Sequence, residues 1–109
     1  MTDQIQEKKV TTLFNAVTTN QQSDTFPFVP KERTVEAWVT GTGAVGATLK
    51  VYGANTDRAT NGVLLATITL SGTTSDSAGS ILSSNWGYIY IILSGITGTG
   101  AAVTFTLAV

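Results

Sequence analysis

Apolar side chains recur at every second residue over much of this chain, and that recurrence predicts strands and no convincing helix. The C-terminal stretch is the clearest case. Val103, Phe105, Leu107 and Val109 alternate with Thr104, Thr106 and Ala108, so one face is apolar and the other mild. β-Branched and aromatic side chains suit such a pleated, half-buried surface. Residues 88–93 differ: Tyr88, Tyr90 and Ile92 face one way, and Ile89, Ile91 and Leu93 face the other. Both faces are apolar, the habit of a strand covered on both sides. A two-layer sandwich covers only one face, so the second calls for a loop, an arm or another subunit. Between the two stretches, ITGTGA at 96–101 reads as a tight glycine turn, which makes residues 86–109 a closing hairpin.

That turn has a twin, VTGTGA at 39–44. Two readings stay open: independent glycine turns, or a duplicated strand-turn-strand unit. In residues 10–19, Val10, Thr12, Phe14 and Ala16 share one face, with Leu13 and Val17 on the other. FPFVP at 26–30 is extended, because residues before proline avoid the helical region, and its prolines put it at an edge. Phe26 and Phe28 either plug the end of the core or meet a partner. In residues 33–40, Val35, Ala37 and Val39 point inward, leaving Glu36 and Trp38 outward. Trp38 then either lies beneath an N-terminal arm or belongs to an interface, where tryptophan is enriched.

Val45, Ala47, Leu49 and Val51 point inward from the next strand, and Leu64, Ala66, Ile68 and Leu70 from the one after. Residues 71–79 (SGTTSDSAG) read as a loop or weak edge, followed by a short strand at 80–83 with Ile81 or Leu82 inward. Seven or eight short strands with glycine-rich turns predict an all-β fold. It is an antiparallel β-sandwich or jelly roll over residues 10–109, with residues 1–9 as a flexible arm. There is no room for the crossover helices of a parallel sheet.

Composition narrows the chemistry. The 109 residues include no Cys and no His, which excludes a disulfide framework and a Cys/His metal site. The acids form no close pair on one predicted strand face, and the serines have no histidine partner, so no catalytic constellation is expected. GTGAVG runs into a strand rather than a helix, so it is no dinucleotide fingerprint. Asn55, Asp57 and Asn61 lack calcium-loop spacing and read as a solvated loop. No cofactor is expected. Net charge is −1 and the pI about 5.0, the wrong sign for tracking phosphates, so nucleic acid is not an expected partner. No run approaches the ~20 apolar residues of a membrane span, and the polar first ten residues carry no secretory signal.

Only 12% of residues are charged, and after Arg58 the only charged side chain is Asp76. A surface held by hydroxyls suits a member of an assembly, because solitary proteins lean on charge for solubility. Lys8 and Lys9 are solvated or touch the rim of an acidic partner. A carbohydrate ligand is the rival expectation, since sandwiches present aromatics to sugar rings and Trp38, Tyr52, Trp86, Tyr88 and Tyr90 are available.

VTGTGAVGATLKVYGANTD, VLLATITLSGTTSDS and NWGYIYIILSGITGTGAAVTFTLAV together resemble a set of small β-rich virion proteins of tailed bacteriophages. Within it the likeness is to jelly-roll capsid decoration, or cement, proteins of short-tailed phages. It covers roughly residues 35–109, and an Ala stands at position 54 where a Ser is common. The resemblance implies a non-enzymatic virion protein, made in the host cytoplasm, that binds the major capsid protein on the outer capsid surface and stabilises the shell. It implies a homo-oligomer, a dimer for preference. The interface residues expected on this reading are Lys8, Lys9, Phe26, Phe28, Trp38, Tyr88 and Tyr90. The alternative is a head-fibre or tail-associated module that binds a receptor or glycan.

Overall fold

The alternation yields strands throughout. The structure is a computed structural model that describes residues 10–23, 33–56, 61–82 and 86–108, and the backbone of 26–27. The arm at 1–9, with Lys8 and Lys9, lies outside the described residues, as do Phe28, Asp57 and the side chain of Phe26. The strands are β1 (Val10–Val17), β2 (Gln21–Gln22), β3 (Phe26–Pro27), β4 (Arg33–Ala54), β5 (Val63–Leu82) and β6 (Tyr88–Ala108). All pairings are antiparallel, in the order β1-β6-β4-β5, with β2 and β3 also on β6.

Three strands of 20 to 22 residues are unusually long. At about 3.3 Å per residue, 22 extended residues span ~70 Å. The molecule measures 46 Å in its longest direction and 17 Å in its thinnest, so these strands bend. Inward side chains on both sides of the bend join one core: Val35, Ala37 and Val39 from one half of β4, Val45, Ala47, Leu49 and Val51 from the other. Five of these seven are fully buried, although no helix covers the sheet among the described residues. The sheet therefore covers itself. One layer holds β1 and the halves of β6, β4 and β5 around residues 102–108, 33–40 and 75–82. The other holds β2, β3 and the halves around 88–94, 48–54 and 63–70. The expected antiparallel all-β sandwich is formed, but its layers are two halves of one folded ladder.

The TGTGA repeats make the fold line, and this corrects the expected closing hairpin. The halves of β6 flanking 96–101 do not pair with each other; each pairs with β4, in a different layer. Thr42 and Thr99, the centres of the two motifs, are cross-strand partners. The motifs behave alike. Gly43 and Gly100 take left-handed backbone, φ 70° and 65°, with open space around them. A Cβ on either Gly41 or Gly98 would sit 2.8 Å from Val45 Cγ1. The repeat thus marks a shared corner, not a strand reversal. From Thr40 to Thr48 β4 advances eight residues while β6 runs eight from Ala102 to Ser94, so register is restored beyond the irregularity. β5 crosses the same line at Thr73 and Thr74, the latter at φ 63°, and the Asp76 carboxylate accepts the Ser71 N–H at 2.8 Å.

Residues 71–79 are therefore strand rather than loop. A bulge opposite Val51/Tyr52 also moves the inward set of β5: Leu65 packs on the core, and Leu64, expected inward, is 49% exposed. In β1, bulges after Thr12 and Phe14 bring Leu13, Phe14 and Val17 onto one core, while Val10 is turned out. Trp86 lies over Gly53, whose Cβ would fall 2.5 Å from the indole Cγ.

Gly43→Ala should cost about 1–2 kcal/mol, the left-handed penalty alone. Gly98→Ala should cost more, adding an overpacking term of about 1–3 kcal/mol against Ala44 O and Val45. Urea unfolding of the two variants checks the order. Gly53→Ala should displace Trp86, read as a shift and loss of its fluorescence blue edge.

Candidate interaction surfaces

The outer face of each layer is what the chain offers to a partner. On the layer of β2 and β3, the second apolar face of β6 is covered from within. Tyr90 is 2% exposed and stacks on Tyr52, ring centroids 5.2 Å apart at 9°. Its hydroxyl accepts the Gly62 N–H at 2.8 Å, so the segment entering β5 folds across it. Ala54, Tyr52 and Ile92 complete this small cluster. The expectation of Tyr90 as an interface residue is thereby corrected: the chain's own β4–β5 connection takes its hydroxyl, and its ring has no free surface. Ser23 carries the β2 ladder one residue further along the edge of β6. Its N–H donates to the Ile91 carbonyl at 2.8 Å, and its Oγ accepts the Ile91 N–H at 2.9 Å. Tyr88 is half-buried at the start of β6, opposite Ala54 and Pro27, and Phe26 pairs through its backbone with Ile89.

The other outer face is broad and almost uncharged. Cross-strand partners set its rows. At one end Val10, Ala108, Thr34 and Ile81 lie side by side, with Val10 59% and Ile81 63% exposed. The next row is Thr12, Thr106, Glu36 and Gly79, and the third sets Trp38 between Thr104 and Ser77. Trp38 is half-buried here, on the outward side beside exposed Glu36. An open groove crosses this face, lined by Thr34, Glu36, Ser77, Gly79 and Ile81. A Cβ on exposed Gly79 would meet Val35 O at 2.6 Å. The hydroxyls serve the ladder as well as the surface. Thr104 Oγ1 accepts the Ala16 N–H at 3.1 Å, which holds the left-handed Ala16 (φ 52°) against β6.

Of the seven expected interface residues, the described side chains are Trp38, Tyr88 and Tyr90. The fold does not bring them together: Trp38 is on one layer, and the tyrosines are on the other. Alternation left open whether Ile81 or Leu82 points inward, and Leu82 does; Leu64, expected inward, is exposed because a bulge shifts its facing. Among the described residues no group of three or more His, Cys, Asp or Glu could hold a metal, and no helix is long and apolar enough to cross a membrane.

No protein-family profile and no curated protein matches the chain. Solved structures do. The chain is similar to the SPBc2 prophage-derived protein YomS, with a TM-score of 0.57 and 16% identity over 99% of this chain and 97% of that one. It is also similar, at TM-score 0.47 and 14% identity, to the K3 adhesin domain of Lys-gingipain from Porphyromonas gingivalis, over 94% of this chain and 74% of that one. A chain of infectious bursal disease virus, Gx strain, matches at TM-score 0.46 and 9% identity over 94% of this chain and 32% of that one. At these identities the YomS likeness shows a shared fold.

Tyr90→Phe should lower stability by about 0.5–1.5 kcal/mol through the lost Gly62 hydrogen bond, as read by urea midpoint.

Proposed function

We propose that this chain is a structural virion protein of a tailed phage, a decoration protein that lies on the outer capsid surface, binds the major capsid protein and stabilises the shell. The observation that carries the reading is the wide outer face of the β1 layer. It is rows of Thr and Ser with Trp38 between Thr104 and Ser77, and Val10 and Ile81 are exposed at one end. Such a face suits attachment to a broad, repeated surface. Weak contacts of that kind become firm by multivalency rather than by a deep pocket. The fold shared with a prophage-derived protein over nearly the whole chain agrees with it. On this reading the chain is not an enzyme, needs no cofactor, is made in the host cytoplasm and acts as a homo-oligomer.

A second reading has one observation in its favour. The groove of Glu36, Gly79 and Ile81 beside Trp38 offers a carboxylate, hydroxyls and an indole on one face, the groups a glycan uses. A head-fibre or tail-associated receptor-binding module would use it so.

Counting copies per purified particle separates the two. A decoration protein should be present in numbers that scale with the capsomers of the shell. A copy number set by the tail, with glycan binding abolished by Trp38→Ala, would contradict the decoration reading.

A further inference from the structure

The described strands leave two edges, and the edges are unlike. β1 is short and blunted: its ladder to β6 breaks twice within eight residues, and Ala16 is left-handed. β5 is also interrupted twice, by the bulge at Leu65 and at left-handed Thr74, but it is 20 residues long and regular between the breaks. Among the described residues it pairs with β4 alone, and that ladder runs without irregularity over 66–73 and again over 75–82. An edge strand carries a row of backbone N–H and C=O groups that its one neighbour cannot satisfy. Natural edges are usually guarded by lysine, by proline or by inward charge. Residues 63–75 have no charge and no proline. Asp76, the one charged side chain of β5, is turned back onto the N–H of Ser71. VLLATITL at 63–70 combines high β-propensity with zero charge, the composition of segments that pair with copies of themselves. Val63 and Leu64 are 52% and 49% exposed there.

We propose that β5 is a dimerisation edge, at which the β5 strands of two copies pair antiparallel across a twofold axis near Ile68. The register is self-consistent. Antiparallel partners directly opposite share a face. A twofold at Ile68 sets Ala66 opposite Leu70 of the partner subunit, inward against inward. Thr67 then meets Thr69 of the partner subunit on the exposed side. No charge meets its like. A second copy fits better than a foreign strand because each copy brings the same unmet row of groups, and an isologous contact satisfies both rows at once. The inward faces continue from one copy into the next, extending the sandwich sideways. The inference stands apart from the virion reading: a β5-linked dimer that never enters a particle would overturn the latter and leave the former intact.

The test uses the purified full chain in sedimentation velocity. The unaltered protein should sediment at twice its 11.4 kDa mass. The double variant Thr67→Lys/Thr69→Lys puts charge on exposed side chains of each edge, and should sediment as a single chain with an unchanged far-UV spectrum. The chain has no Cys, so single nitroxide labels can be placed at will. A label at Thr69→Cys should show dipolar broadening between copies, and one at Thr12→Cys on β1 should not. This second readout decides the matter if the lysine variant fails to fold. A single-chain mass for the unaltered protein, a folded lysine variant that stays dimeric, or broadening at Thr12 without broadening at Thr69 would overturn the proposal.

Discussion

Val45 sits at the point on which the molecule turns. Its Cγ1 occupies the space that side chains on Gly41 and Gly98 would need, so two paired strands close around one methyl group at their common bend. Antiparallel ladders resist sharp folding, because bending breaks the register of bonded groups. Here Gly43 and Gly100 absorb the bend in left-handed backbone, and the register beyond it is the same as before. Three strands can then run through both layers. Two short-stranded sheets would need more connections and more free edges. One folded ladder buries the inward residues between Val35 and Val51 and between Ile89 and Leu107 in a single core.

The same constraint decides what is left outside. Because β6 contributes to both layers, its apolar second face in residues 88–92 is exposed to whatever crosses it. The chain supplies cover there through Gly62, whose N–H the Tyr90 hydroxyl accepts, and Tyr90 becomes internal. The β1 layer receives no such cover among the described residues, and its outer face keeps Trp38 half-buried amid hydroxyls. β5, last in the strand order, closes neither layer. The surfaces that remain for partners are thus consequences of strand order and of one corner.

Much of the core was legible in the alternation. Val35, Ala37 and Val39, Val45 to Val51, the odd positions of 89–93, and Val103 to Leu107 are buried as their period of two demands. The fold line was not legible, because a Gly-Thr-Gly string permits a hairpin reversal and a strand bend alike; only the pairing of Thr42 with Thr99 separates them. Residues 71–79 gave no strand signal because hydroxyl and glycine residues carry no apolar alternation, and their place in the sheet is set by β4 beside them. Bulges at Leu13 and Leu65 shifted faces that simple parity assigned otherwise. The partner surface was the least legible part. Tyr90 lies on a face that a loop, an arm or another subunit could equally cover, and nothing in the sequence marks Gly62 as the group that takes its hydroxyl.

The central claim is that β6 is one bent strand shared by two layers. Nuclear Overhauser contacts across its length test it most directly. Backbone contacts of Val103 with Val39 and of Ile91 with Val51, together with Thr99 to Thr42, are the result the account predicts. Cross-strand contacts between the two halves of β6 itself, Leu93 with Thr104 or Ile96 with Ala101, would mean a hairpin and contradict it.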